Sequence, residues 1–145
     1  MYYTIMKLHE LLIELHVNCL LPIRKVSNNN NITPSQLLCI LSIPFSGISQ
    51  VELAHILSLD VSTLSRNLDK LINKQLINKK TALMDKRSYI IYLTDIGKKL
   101  YNQSISELEC HFSSIYENLH IKDIESLLAG IQSINWELSK KTINE

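Results

Sequence analysis

The residues best suited to chemistry in this chain are small hydroxyl side chains and two arginines. Apolar residues at Val61, Leu64, Leu68 and Leu71 are spaced three to four apart, which predicts a helix over 61–74 with these four facing a core. Its outer face carries Ser62, Thr63, Ser65, Arg66, Asn67, Lys70, Asn73 and Lys74. Small hydroxyl residues let a helix approach base edges and phosphates closely, and arginine reaches a guanine edge or a phosphate. This face favours nucleic-acid contact over the alternative, an ordinary solvated face, which usually carries more acid than Asp69 alone.

A predicted β-hairpin follows this helix and carries further basic residues. Residues 89–93 are rich in β-formers, and residues 76–81 are expected to pair with them. Arg87 falls in the loop between the strands, where an arginine suits the negative potential of a narrow minor groove. Asp85 is expected to hold the Arg87 guanidinium in place; an incidental ion pair in a surface turn is the alternative. Lys79, Lys80 and Lys86 are expected to contact phosphates.

Charge is distributed unevenly along a nearly neutral chain. The 145 residues have a net charge of +1, but residues 66–99 contain nine Lys or Arg against three acids. The balance is therefore +6 in this segment and −5 elsewhere, which is typical of a nucleic-acid-binding surface; a solvated lysine-rich face is the alternative. With 46% hydrophobic residues, we expect one globular domain. No apolar run reaches membrane-helix length and no signal-peptide layout is present, so a cytoplasmic location is expected.

Local signals place the elements around these residues. A first helix is predicted from an apolar stripe over residues 5–20, ended by Pro22 and the run of asparagines at 28–31. Capping signals at Thr33, Ser49 and Asp60 predict three more helix starts. Thr94 is expected to cap a long helix.

The terminal helices are too apolar to stand alone. Two stripes repeat every seven residues, one at Tyr101, Leu108, Ile115 and the other at Ile124, Ile131, Leu138. We expect a two-fold interface between two copies of the chain; packing within one chain is the alternative. The predicted fold is mainly α with a small β-hairpin wing. Residues 1–32 and 98–145 would dimerise, and residues 33–97 would form a winged helix-turn-helix lobe within one intertwined domain.

Several motifs together resemble the MarR family of bacterial winged helix-turn-helix regulators over about residues 33–100. They are Thr33-Pro-Ser-Gln36, Gln50-Val-Glu-Leu-Ala54, Leu59-Asp-Val-Ser-Thr-Leu-Ser-Arg66, Leu76-Ile77, Asp85-Lys-Arg87 and Leu93-Thr-Asp-Ile-Gly97. The resemblance implies a homodimer that binds a pseudo-palindromic operator in double-stranded DNA, usually as a repressor released by a ligand or an oxidant. It implies major-groove contacts from Ser62, Thr63, Ser65 and Arg66, and a minor-groove contact from Arg87. We add Ser49, Gln50, Asn67, Lys70, Lys79 and Lys86 to the predicted DNA-binding set.

One position departs from the family pattern. Gln75 stands where the family usually has glycine, at a site that commonly needs a left-handed backbone. The helix is therefore expected to end differently here.

The trigger is left open between several mechanisms. A small effector is the family default. Cys19 is the candidate for thiol-redox sensing, and scattered histidines make metal sensing a further alternative. No cofactor is expected. The sequence contains no Gly-rich phosphate loop, serine elbow or paired-carboxylate spacing, so an enzyme is not predicted. A winged helix that binds protein instead of DNA is the rival outside the regulator class.

Overall fold

Six helices and three strands make up the described part of the chain. The computed structural model describes residues 2–81 and 89–143. In order, the elements are α1 (Tyr2–Asn29), α2 (Pro34–Leu41), β1 (Ile48–Ser49), α3 (Gln50–Ile56), α4 (Val61–Asn73), β2 (Ile77–Thr81), β3 (Tyr89–Leu93), α5 (Asp95–Asn118) and α6 (Ile121–Ile143). The predicted fold class, mainly α with a winged helix-turn-helix, is confirmed. Two compact units are present, residues 1–108 and residues 109–145.

The helix starts follow the predicted caps. Thr33 forms a complete capping box with Gln36, and Pro34 occupies the first turn of α2. The Ser49 hydroxyl accepts the Glu52 N–H at 3.1 Å at the start of α3. Each cap satisfies an N–H that the helix itself leaves without a partner, so short helices are stabilised where the sequence places them.

Three helices end in the same way, and none of them uses glycine. Asn31, Ser58 and Gln75 follow α1, α3 and α4 with φ of 54°, 52° and 58°. In each case two successive N–H groups bond back to the last turn, as Gln75 N–H does to Ile72 O and Leu76 N–H to Leu71 O. This is the Schellman arrangement. The expectation that α4 ends differently because Gln75 replaces glycine is wrong, since Gln75 adopts the left-handed conformation.

The first helix is longer than predicted. It runs from Tyr2 to Asn29 with Pro22 inside it, so the expectation that Pro22 contributes to its end is wrong. Proline removes one N–H from the helical ladder, and the residues on both sides continue the helix. The asparagine run does end it, since Asn31 provides the left-handed residue and Ile32 N–H bonds to Ser27 O.

A small antiparallel sheet forms the wing. Its strand order is β1-β3-β2, with Ile77 opposite Leu93 and Thr81 opposite Tyr89. The predicted hairpin is confirmed. The two-residue strand β1, which pairs Ile48 with Ile91, was not predicted because two residues carry no periodic signal.

The buried core lies within the first unit, between residues 26 and 93. Its fully buried side chains come from the end of α1, from α2 and the segment after it, from α3 and α4, and from both hairpin strands; Leu37, Leu53, Leu64 and Ile91 are examples. In the second unit, none of the side chains described in α6 is buried. No helix in the described part of the chain has the length and apolarity that crossing a membrane requires.

The end of α4 is joined tightly to the start of α5. The Thr94 hydroxyl accepts the Gly97 N–H at 3.0 Å and lies 2.7 Å from Gln75 O, to which it donates. Thr94 N–H also donates to Leu76 O. Gly97 sits against the same carbonyl, because a Cβ there would lie 1.9 Å from Leu76 O. Thr94 is thus the predicted cap of α5 and also a link between two helices.

Candidate nucleic-acid interface

The outer face of α4 is open to a partner over most of its length. Leu64, Leu68 and Leu71 are buried at 0–1% exposure and fix the inner face. On the outer face Ser62, Arg66 and Lys70 are exposed, and Thr63, Ser65 and Asn67 are half-buried. A helix anchored by three buried leucines presents these side chains on a rigid support.

Val61 is not a core residue. Its side chain is 47% exposed, so the expectation that it faces the core is wrong. Val61 is the first residue of α4, and a helical side chain leans toward the N-terminus, beyond the turn that packs on the core. An apolar side chain therefore lies beside the hydroxyls of the first turn.

Asp60 organises that first turn. Its carboxylate accepts the Thr63 N–H at 2.8 Å and the Thr63 hydroxyl at 2.7 Å. It also accepts a short hydrogen bond from the Ser62 hydroxyl. The bonds from Ser62 and then Thr63 hold the pKa of Asp60 well below its usual range, so the carboxylate is charged at neutral pH. The sequence predicts Asp60 as a cap, whereas its bonds to both hydroxyls are evident only in the structure.

Three predicted contact residues are engaged within the protein. Gln50 is only 8% exposed. The Ser49 hydroxyl is used as the cap of α3. The Asn67 side chain donates to the Ser35 hydroxyl at 2.9 Å and so ties α4 to α2. Ser49 thus stabilises the start of α3, and Asn67 fixes α4 against α2.

The wing presents lysines and aromatic rings together. Lys79 lies 4.1 Å from the centre of the Tyr89 ring, and Lys80 lies 5.4 Å from the centre of the Tyr92 ring. Such contacts hold a cation in place without neutralising it. Asp85, Lys86 and Arg87 lie outside the described residues.

A cavity of about 430 Å³ lies near the end of α4. Its lining is Asn30, Ile32, Lys74, Leu76, Ile96, Lys99, Leu100 and Gln103. The lysines frame an apolar floor, and Lys74 also donates to Asn31 O at 3.0 Å. The lining residues come from three separate segments, so no local sequence pattern predicts this site.

The three cysteines differ in environment. Cys19 is half-buried in α1, Cys110 is exposed in α5, and Cys39 is buried. Burial raises the pKa of the Cys39 thiol to about 11, so Cys39 is not the thiolate that redox chemistry needs. Among the residues the structure describes, no group of three or more His, Cys, Asp or Glu side chains is placed to hold a metal ion.

Known structures share this arrangement. A MarR crystal structure matches with a TM-score of 0.81 and 21% identity, covering 92% of each chain. A mutant MarR from E. coli complexed with operator DNA matches at 0.73 and 23%, covering 92% of this chain and 97% of that one. NadR in complex with 4-hydroxyphenylacetate matches at 0.74 and 22%, covering 85% and 88%. At these identities the likeness establishes the fold.

A family model adds membership to the fold. The model of the transcriptional regulators SarA/Rot matches residues 23–104, which is more than half of the chain and includes the helix-turn-helix and the wing. Together with the winged-helix fold, this match defines the class of protein. The chain belongs to the SarA/Rot family of transcriptional regulators and has the winged-helix fold of the MarR structures.

Proposed function

We propose that the chain is a homodimeric repressor that binds a pseudo-palindromic operator and is released by a small effector. The observation that carries the proposal is the outer face of α4. Ser62, Arg66 and Lys70 stand exposed there on a helix that three buried leucines hold rigid. Such a face suits the major groove, where base edges are read. A regulator of this kind acts on cytoplasmic DNA.

The proposed contacts divide between the two grooves and the backbone. Ser62, Thr63, Ser65 and Arg66 read the major groove, and Lys70 and Lys79 contact phosphates. Arg87 enters the minor groove, positioned by Asp85, and Lys86 adds a phosphate contact; these three rest on the sequence. Gln50, Ser49 and Asn67 act by positioning the helices, which their burial and hydrogen bonds support.

Dimerisation is supported by apolar side chains that one chain leaves uncovered. In α1, Leu8, Leu11 and Leu15 are 47–58% exposed, and in α6 Leu127 and Ile131 are 43% and 38% exposed. A helix with an apolar stripe and little burial gains stability by packing against another helix. Residues 1–32 and 98–145 are therefore proposed as the dimerisation segments, and residues 33–97 as the DNA-binding lobe.

The cavity at the end of α4 supports control by an effector. Its volume of about 430 Å³ is in the range of small-molecule sites. Lys74 and Lys99 beside Leu76 and Leu100 suit a small anionic compound with an apolar body. A ligand there contacts Lys74 and Leu76, which directly follow α4, and residues of the first turns of α5, and so would bias the placement of α4.

Selection of preferred duplexes from a random pool tests the proposal. We expect an inverted repeat with half-sites about one DNA turn apart, roughly 34 Å. Arg66→Ala should weaken binding and alter base preference, whereas Arg87→Ala should weaken binding to every site. Absence of duplex binding at low salt would sink the proposal and favour a protein-binding module.

Salt dependence tests the wing. Lys79→Ala should reduce the slope of log K against log salt by about 1.8, because each of the two protomers loses one phosphate contact. Lys122→Ala removes an exposed lysine from α6 and should leave the slope unchanged. Equal slopes for Lys79→Ala and wild type would remove Lys79 from the interface.

The same binding assay distinguishes the proposed triggers. A phenolic acid, zinc or an oxidant is added in turn, and Cys19→Ser is the variant that tests oxidation.

A further inference from the structure

Asp60 determines the direction of the hydrogen bonds made by the hydroxyl groups in the first turn of α4. Both hydroxyl groups of that turn, on Ser62 and Thr63, donate their protons to the Asp60 carboxylate. A hydroxyl has one proton and two lone pairs, so each keeps only acceptor capacity for a further partner. The carboxylate also takes the Thr63 N–H, a group that would otherwise be available to a phosphate.

Acceptors in the major groove meet a restricted set of partners. The donors on base edges there are the N6 amine of adenine and the N4 amine of cytosine, whereas guanine shows the acceptors O6 and N7. The second observation is independent of these bonds. Val61, next to Ser62, is 47% exposed, and an apolar side chain in the groove contacts the 5-methyl group of thymine. An A·T pair is the base pair that carries both an amine and a methyl group.

We propose that Asp60 is a specificity-determining residue that makes the first turn of α4 select an A·T pair. The turn accepts from the adenine amine through Ser62 or Thr63 and packs Val61 on the thymine methyl. Because the Asp60 carboxylate accepts both hydroxyl protons, neither hydroxyl can donate to O6 or N7 of guanine. The turn therefore disfavours guanine at this position. This inference rests on the proposed function, in which α4 enters the major groove.

Asp60→Asn changes the hydrogen bonds that the two hydroxyls can make without removing the helix cap. Asparagine caps a helix as well as aspartate does, so α4 should be retained. Its amide offers one oxygen and one NH₂ group, so at least one of the two hydroxyls regains a free proton. In selection from a random duplex pool, the preference for adenine over guanine at the contacted position should fall about fivefold or more. Asp69→Asn, which removes the same charge from an exposed site on the same helix, should select the wild-type sequence.

Base analogues test the second half of the inference. Replacing one thymine of the selected operator with uracil removes only the methyl group, and should weaken wild-type binding about threefold at the contacted position. Val61→Ala, with a smaller apolar side chain, should discriminate less between the thymine and uracil duplexes than wild type does.

The outcomes separate the two proposals. If wild type selects an operator and Asp60→Asn selects the same bases, the inference is wrong and the proposed function stands. An equal effect of uracil on wild type and on Val61→Ala would likewise overturn it. If wild type selects no sequence, both fail.

Discussion

At the scale of single residues, Gln75 shows how a side chain tolerates an unfavourable backbone. Its φ is 58°, in the left-handed region where the Cβ of an L-residue crowds the following carbonyl. The Schellman bonds of Gln75 to Ile72 O and of Leu76 to Leu71 O offset this cost, and both leucines are buried. The left-handed conformation of Gln75 is therefore stabilised by the surrounding hydrogen bonds and packing, against the intrinsic preference of glutamine.

Gln75→Gly should stabilise the protein. Glycine removes the left-handed penalty and adds entropy to the unfolded chain, so we expect a net gain of about 0.5–1 kcal/mol in the free energy of unfolding. Denaturant titration at a fixed chain concentration measures it. Gln75→Ala keeps a Cβ and serves as the control, with little change expected. A loss of stability in Gln75→Gly would show that the glutamine side chain itself contributes.

Asp60 should make stability depend on pH in the acid range. Its pKa is lowered in the folded state by the bonds from Ser62 and Thr63. A lowered pKa contributes stability above the unfolded value, about 3.9, and the contribution is lost as the pH falls through the folded pKa. The stability difference between wild type and Asp60→Ala should therefore be full at pH 6 and shrink below about pH 4. A stability difference for Asp60→Ala that stays constant over the pH series would contradict the prediction.

At the scale of elements, a junction of hydrogen bonds connects the end of α4 to the long helix α5 that follows the wing. Thr94 donates to Gln75 O and caps α5 through the Gly97 N–H. Gly97 allows the close approach, since its missing Cβ would overlap Leu76 O. The junction therefore fixes the first turn of α5 against the end of α4.

Gly97→Ala should destabilise the protein. Because the obstacle is a backbone carbonyl and not a flexible side chain, we expect a loss of about 2–3 kcal/mol. Gly130→Ala provides a matched control, since a Cβ there meets nothing within 4 Å. In a helix interior that change should be neutral or favourable by about 0.5–1 kcal/mol. Thermal unfolding of both variants measures the difference, and equal melting temperatures would show that the junction relaxes freely.

At the scale of the whole molecule, uncovered apolar side chains concentrate on the first and last helices. Leu11 is 58% exposed, Trp136 is 64% exposed, and none of the side chains described in α6 is buried. Patches of this kind mark association surfaces in soluble proteins. A second copy of the chain covers them in the proposed dimer.

Leu127→Glu combined with Ile131→Glu should produce a monomer. Transferring two carboxylates from water into an apolar interface has a large unfavourable free energy, so association should fail at micromolar concentration. Loss of the second half-site contact should weaken operator binding at least about a hundredfold. Sedimentation equilibrium measures the mass. Leu38→Glu, at an exposed site on α2, should remain dimeric, and a dimeric double variant would place the interface elsewhere.

Local signals determined the helix starts, the core face of α4 and the wing hairpin, because caps and periodicity act over a few residues. They were insufficient at Pro22, where the helix continues, and at Gln75, where the bonds of neighbouring residues outweigh the intrinsic preference. Val61 was misassigned for a related reason, since periodicity gives a face but not how far the packed layer extends.

The helix-turn-helix, the basic wing and the apolar arms are predictable from the sequence, since each depends on a pattern of consecutive residues. Four features are evident only in the tertiary structure: the two-residue strand β1, the Thr94–Gln75 link, the Asn67–Ser35 bond and the cavity beside Lys74 and Lys99. All four join residues from separate segments, and such pairings depend on how the chain packs and not on any local pattern.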